Sequence, residues 1–225
     1  FHTHTFLSDG VLSPIELIRR ALVRGYKAIG VTDHVGIGNI EYVVKTLVVD
    51  CANATDRWDI LAMPGVEITH VPKDDIDMVA RTAKELGAKL VTVHGETIVE
   101  PVEPGTNEAA VRSAFVDVLA HPGLISYEVA RLAAENGVYL EVSARKGHSL
   151  TNGHVVNLAR QVGAATVLDS DAHEPDDLLT LDLIDKIAEG AGLNKEEAHA
   201  LLETNPQNLL VKLGFGPVPA SDSSA

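Results

Sequence analysis

Cysteine is almost missing from these 225 residues: Cys51 stands alone. With no internal partner it forms no disulfide, which suits a reducing compartment and predicts the cytoplasm. Aromatic residues are scarce, at 4%, and leave little with which to stack nucleobases. Basic residues are outnumbered, 18 Lys and Arg against 32 Asp and Glu, for a formal net charge of −14. Nucleic-acid affinity rests on Lys and Arg meeting phosphate, so a nucleic-acid partner is not expected. No apolar run approaches the ~20 residues that span a membrane. No charged n-region followed by an apolar h-region opens the sequence. Internal linkers and low-complexity stretches are also lacking, so one domain over residues 1–213 is expected. The Gly-, Pro-, Ser- and Ala-rich stretch 214–225 reads as a disordered tail. A 45% apolar content excludes disorder of the body.

Short apolar, β-branched runs recur: Ala28–Val31, Ile60–Met63, Lys89–Val93, Phe115–Ala120, Val138–Val142 and Ala164–Leu168. Each has the length of a buried parallel strand and follows a helical pattern. Their starts lie 23 to 32 residues apart, the length of a β-α unit. Ser13-Pro-Ile-Glu offers an N-cap, a proline at the first helical position and a glutamate three residues after the cap. The expected helices end at Gly25, Gly87, Gly137 and Gly163, each just before a strand. With Phe1–Thr5 as the end of a first strand, the chain is α/β with seven parallel strands. The last helix starts at Asn194, and Thr204-Asn-Pro is expected to interrupt it. The longest loop, Gly36–Asp59, carries a helical pattern and the only tryptophan, Trp58.

What the chain has in plenty is histidine, ten in all. By chance alone ten histidines would give a His-x-His about 0.4 times, so no single motif is informative. Their positions are. His2 and His4 end strand one, with Asp9 in the following loop. His34 follows strand two, Glu67 strand three, His94 ends strand four, His121 strand five, and Asp171 and His173 follow strand seven. In parallel α/β barrels the carboxyl edge is where active sites are built. Residues i and i+2 of a strand share a face, so His2 and His4 can grip one ion. Imidazole suits zinc or iron, and carboxylate oxygens also accept manganese. Six histidines and three carboxylates exceed the ~4–6 ligands of one ion. Two or three divalent transition ions are therefore expected, an arrangement typical of phosphate-ester hydrolases. One ion would generate hydroxide at neutral pH while the others neutralise phosphate and leaving-group charge.

In this order, His2-Thr-His4 with Asp9, Thr32-Asp33-His34, His94 and Ser170-Asp171-Ala-His173 resemble the polymerase-and-histidinol-phosphatase (PHP) family. Gly65-Val-Glu67 and Leu119-Ala-His121-Pro-Gly resemble its remaining ligand stretches. The resemblance runs from Phe1 to about Leu213. It implies a distorted seven-stranded (β/α)7 barrel with up to three zinc, iron or manganese ions at the carboxyl-terminal edge. It also implies three ion positions. His2, His4, Glu67 and Asp171 would hold the first. Glu67 as bridge, His94 and His121 would hold the second. Asp9, His34 and His173 would hold the third. The catalytic residues would be Glu67, Asp171 and His173, with Asp171 or His173 carrying the proton and a metal-bridging hydroxide attacking phosphorus in line.

Arg145-Lys146-Gly-His148 follows strand six, the one strand without an expected ligand. These three side chains are expected to bind substrate phosphate, Arg145 through its bidentate fork, with Asn152 and His154 as weaker members. Asp33 either orients an imidazole or caps the following helix. His70 either lines the mouth of the site or, the reading favoured, sits in a surface loop, and His199 carries no function. Only three of the acids would be buried, the rest forming a solvated surface. The expected substrate is a small phosphomonoester. Histidinol phosphate comes first, because its amine could meet Glu96, Glu100 or Glu103. The alternatives are a nucleotide phosphatase, a 3′-5′ exonuclease and a non-catalytic RNA-binding subunit on the same fold.

Overall fold

A computed structural model describes residues 1–218. Helix α1 (Pro14–Val23) begins as its sequence requires: the Ser13 hydroxyl accepts from Glu16 N at 3.3 Å, and Pro14 sits in the first turn. Its buried stripe is Leu17, Ile18 and Ala21, the spacing of one helical face. Strand β1 (Ala28–Val31) follows, and after two residues β2 (His34–Val35) resumes its path. Helix α2 (Ile40–Arg57) occupies the long loop and packs on β3 (Leu61–Ile68). The chain continues through α3 (Ile76–Leu86), β4 (Leu90–His94), α4 (Thr106–Arg112), β5 (Val118–Ala120), α5 (Tyr127–Asn136), β6 (Tyr139–Ser143), α6 (Asn152–Val162) and β7 (Thr166–Asp169). Gly87, Gly137 and Gly163 end α3, α5 and α6 in left-handed backbone, as expected.

All strand pairs are parallel, in the order β1-β3-β4-β5-β6-β7 with β2 also on β3. The result is an α/β fold whose seven strands curl into a half-barrel. The count of seven holds, but its membership differs from expectation. The first segment forms no regular strand, only a parallel bridge between Thr3 and Ala172. Its backbone spans the gap in the ring: Thr32 N donates to Thr3 O, and His4 N donates to Ala172 O, both at 2.8 Å. The seventh strand is instead β2, too short to stand out as an apolar run.

The main core lies between strands and helices and includes Val43, Val44 and Leu47 of α2 and Val66 and Ile68 of β3. At the amino ends of the strands, Leu209 packs against Leu90, Val118, Tyr139 and Val167, so helix α9 (Asn205–Lys212) closes that end. Helices α7 (Leu181–Gly190) and α8 (Lys195–His199) precede it. Pro206 does not interrupt the helical path. Residues Ala200–Thr204 widen into a π turn, and Pro206 falls in the first turn of α9, where its missing N–H costs nothing. Of the expected tail, Val218 exchanges hydrogen bonds with the Gln207 amide, and residues 219–225 lie outside the described residues. Among the described residues no helix is long and apolar enough to cross a membrane. Six acids are buried, not three: Asp33, Glu67, Asp117, Glu141, Asp169 and Asp171.

Candidate metal centre

The carboxyl edge of the sheet gathers the nine ligand-type residues. Register does part of this: His34 on β2 lies directly beside Glu67 on β3, and His94 ends β4 beside Ala120, one residue before His121. Glu67 is fully buried at the centre. Its Oε2 lies 2.7 Å from His34 Nδ1, 3.3 Å from His2 Nε2 and 3.5 Å from His4 Nε2, and its Oε1 lies 3.4 Å from His121 Nε2. Asp171 Oδ1 is 3.1 Å from His4 Nε2 and 3.7 Å from His2 Nε2. Asp9 Oδ1 lies 3.4 Å from His34 Nε2 and 3.2 Å from His173 Nε2.

Four imidazoles are held through Nδ1; in His2 and His148 this turns Nε2 to the buried carboxylates, and in His34 and His173 it turns Nε2 to Asp9. His2 Nδ1–H donates to Glu141 at 2.6 Å. His34 Nδ1 is 2.6 Å from Thr69 Oγ1, whose hydroxyl donates to Glu67 O. His173 Nδ1–H donates to Asp171 O at 3.0 Å, and His148 Nδ1 is 2.7 Å from Thr97 Oγ1. Such outer partners fix the tautomer and aim of metal-binding histidines.

The inner residues are short of partners. Buried polar groups are nearly always hydrogen-bonded. Yet His2 Nε2, both His4 nitrogens, both Glu67 oxygens, His94 Nδ1 and His121 Nδ1 have none. They make up seven of the nine such atoms among the described residues, so the orphans are concentrated at this one point. Five groupings among the described residues could each hold an ion: His2, His4 and Asp171; His2, Glu67 and His121; His94, His121 and His148; His4, Asp9, His34 and His173; and, nearer solvent, His70, His94 and Glu100. A multi-metal site fits this donor set.

The electrostatics agree. Burial opposes charge on His2, but Glu67, Glu141 and Asp171 raise it well above the ordinary imidazole value. His34 is pushed up to about 10, burial being outweighed by Glu67 and Asp9. Burial lowers His4 to about 3 and His148 to about 4. Despite burial, the surrounding imidazoles hold Glu67 and Asp171 well below the carboxylate range. The backbone also shows strain. The non-glycine residues with positive φ among the described residues are His70 (51°), His121 (25°) and Asp171 (50°), all just past strand ends at this edge. Such strain persists where surrounding structure enforces it, typically at functional sites. Gly10 serves the same packing: a Cβ there would lie 2.4 Å from His4 O, so only glycine lets the Asp9 loop fold back on His4.

The other expected residues divide. Arg145 lines a cleft of about 240 Å³ with Asp9, His34, His94, Glu100 and His173. Its Nη1 donates to Asp171 O at 3.1 Å. Lys146 is exposed and does not line that cleft. His148 is buried in the metal centre and stacks on His121, ring centroids 4.1 Å apart. Asn152 braces the backbone of Ser143, and His154 Nε2–H donates to Ile125 O. Asp33 takes neither expected role; its carboxylate accepts from Thr5 N, Thr5 Oγ1 and Ser8 Oγ and fixes the loop after His4. Glu96 caps the start of α4 by accepting from Gly105 N and Asn107 N, and Glu103 pairs with Lys73. Only Glu100 of the three acids reaches the cleft, 3.0 Å from His94 Nε2. Glu141 was missed. A single acid inside Val138-Tyr-Leu-Glu-Val is the signal that could have found it.

No family model matches the chain. It is 44% identical to an uncharacterized protein of Methanocaldococcus jannaschii over 214 residues, 95% of this chain and 98% of the other. It is 26% identical over 243 residues to an Aliivibrio fischeri protein named a probable phosphatase, covering 99% of this chain and 96% of that one. Among solved structures, a chain of archaeal ribonuclease P with mature tRNA superposes with a TM-score of 0.62 at 17% identity, over 94% of this chain and 88% of that one. A chain from the structures of the metal-dependent tyrosine phosphatases YwqE of Bacillus subtilis and CpsB of Streptococcus pneumoniae gives 0.60 at 14% identity, over 97% of this chain and 95% of that one. At those identities the structures speak for the fold alone.

Proposed function

The chain belongs to the PHP family of phosphoesterases, and from that premise we propose that it is a metal-dependent phosphatase acting on small phosphate monoesters. The observation that carries this reading is the cluster of buried imidazoles and carboxylates around Glu67, in which both Glu67 oxygens, His2 Nε2 and both His4 nitrogens lack hydrogen-bond partners. Two or three ions of zinc, manganese or iron, when bound there, supply activated water and neutralise phosphate and leaving-group charge.

The residues divide the remaining work. Glu67 faces imidazoles on both sides and would help to hold an ion on each. Asp171, kept ionised by His2 and His4 despite its burial, remains a ligand. His173 stands nearer solvent, 11% exposed, and with no ion at the outer position it would be placed to carry the proton to the leaving alkoxide. Arg145 opens its fork to the non-bridging phosphate oxygens. Glu100 offers a carboxylate at the cleft to an amine, which makes histidinol phosphate the first substrate to test. A cleft of about 240 Å³ suits a small alcohol better than a polynucleotide. The likeness to a ribonuclease P chain raises an RNA-binding role, but a net charge of −14 and the intact ligand set favour catalysis. The buried, unpaired Cys51 supports a cytoplasmic setting.

The test is elemental analysis of purified protein, coupled to phosphate release from a panel of esters. Two or three transition ions per chain and hydrolysis of monoesters are expected. Less than one ion per chain, with no recovery on adding zinc, manganese or iron, overturns the reading. An oligonucleotide or nucleotide favoured more than tenfold in kcat/KM over histidinol phosphate overturns the substrate assignment.

A further inference from the structure

His148 sits in a loop whose neighbours, Arg145 and Lys146, suggest phosphate binding, yet its ring has the setting of a ligand. Its side chain is 4% exposed. Its Nδ1 is anchored 2.7 Å from Thr97 Oγ1, as His2 is anchored on Glu141, His34 on Thr69 and His173 on the Asp171 carbonyl. The histidines outside the nine do not share this arrangement. His70 is 45% exposed, and His154 spends its Nε2 on the Ile125 carbonyl.

We propose that His148 is a further metal ligand, completing with His94 and His121 a three-histidine position for a divalent transition ion. The inference rests on the metal-dependent reading above and extends its ligand set. One nitrogen from each of the three rings lies within 4.8 Å of the others. The His148 Nε2 also faces Asp171 Oδ2 at 3.7 Å and Glu100 Oε1 at 3.5 Å, so carboxylates of two further elements look onto the same point. An ion at Nε2 selects the tautomer in which Nδ1–H donates to Thr97 Oγ1 and Nε2 carries the lone pair. A lone pair can bind an ion and cannot donate to a phosphate oxygen. The local fold enforces this aim. A tight turn at His148–Thr151 leads into α6, and Gly147, at φ 92°, packs under Val99 of the loop that also carries Thr97 and Glu100. Three imidazoles suit zinc or iron and leave a coordination position open to substrate.

The experiment compares the wild type, His148→Ala and Thr97→Val, each loaded with zinc or cobalt(II) and assayed for ion content, ion affinity by chelator competition and the cobalt visible spectrum. Phosphomonoester kinetics are run beside them. His148→Ala is expected to lose one ion per chain, or to hold it at least 100-fold more weakly, and to change the cobalt spectrum. Thr97→Val, which removes only the anchor, is expected to weaken the same ion about 10- to 100-fold. Should His148→Ala fail to fold, Thr97→Val alone decides. Full ion content with unchanged affinity and spectrum, and a raised KM, overturns the proposal and returns His148 to the phosphate. A wild type that binds its ions and hydrolyses nothing sinks the phosphatase reading while the affinity and spectral data still judge His148.

Discussion

The inner and outer halves of the metal centre are built differently. His2, His4, Glu67, His121 and Asp171 are sealed from solvent, and most of the atoms they turn inward lack partners. The outer group is open: Asp9 is 55% exposed and His34 25%. Its members already have partners: Asp9 lies between the two imidazoles, His34 Nδ1 meets Thr69 and Glu67, and His173 Nδ1 meets the Asp171 carbonyl. The inner group is thus incomplete without an ion, while the side chains of the outer group are already paired. An orphaned buried group costs about 1–3 kcal/mol, so ions at the inner positions return energy that an ion at the outer one does not. The inner ions should therefore be held tightly, and the outer one should exchange.

The strongest way to break this comparison is to neutralise its centre. Glu67→Gln should release ions from both inner positions and lower kcat/KM by on the order of 10³-fold, since Lewis-acid charge stabilisation is worth several kcal/mol. His34→Ala should cost about tenfold and one ion, because it touches the outer position. Ion content and steady-state kinetics check both. Equal, mild losses in the two variants would remove the distinction between inner and outer.

A smaller effect tests how the inner group is aimed. Glu141→Gln replaces the obligate acceptor at His2 Nδ1 with an amide that can also donate. Inner-ion affinity should fall about 10- to 100-fold with the fold intact. Competition with a graded series of chelators measures it. Unchanged affinity would mean that the His2 tautomer is set by the ion alone.

Acidity should separate the halves further. With no ion anywhere in the centre, Glu67 and Asp9 push His34 up to about 10 against its burial, so at neutral pH it carries a proton that an ion must displace. Because the folded value lies above the working range, protonation opposes binding throughout pH 6–8 and relaxes as pH rises. Outer-ion affinity should increase about tenfold per pH unit across that window. Titration calorimetry in buffers of different ionisation heat should detect about one proton released per outer ion. A pH-independent affinity would place the proton elsewhere.

Much of this was legible in the sequence, for a physical reason. Strand ends are marked by apolar runs that stop, and parallel strands bring their carboxyl ends to one edge, so the nine expected residues meet there. What could not be read depends on where side chains turn. Glu141 hides in a strand because a fully buried run shows no alternation to reveal which face is special. His148 looks like part of a basic loop because nothing in Arg-Lys-Gly-His shows that the turn after Gly147 folds its ring inward. Helix α4, seven residues behind Gly105, was also unforeseen, as was β2, whose two residues never form a run. Asp33 sits between two motif residues and reads as chemistry, yet it ties down a loop.

The mildest effect is expected where the cleft meets solvent. Arg145 is about one-third exposed, with Nε 3.5 Å from Asp171 Oδ2 and Nη1 3.9 Å from Asp177. A guanidinium is always charged and offers no lone pair, so it cannot ligate an ion. Its hydrogen bond to Asp171 O leaves other N–H groups free for a phosphate. Arg145→Ala should therefore raise KM for phosphomonoesters by about tenfold, the scale of one charge-assisted hydrogen bond at a partly exposed site. Ion content should stay unchanged. Arg145→Lys should recover part of the loss, since a lysine keeps the charge but not the planar fork. Lys146→Ala, altering an exposed side chain outside the cleft lining, should leave KM nearly unmoved. Loss of ions from Arg145→Ala would recast the residue as a brace that positions Asp171. The inner half of the centre would then extend to the rim of the cleft, and the boundary drawn between inner and outer would lie in the wrong place.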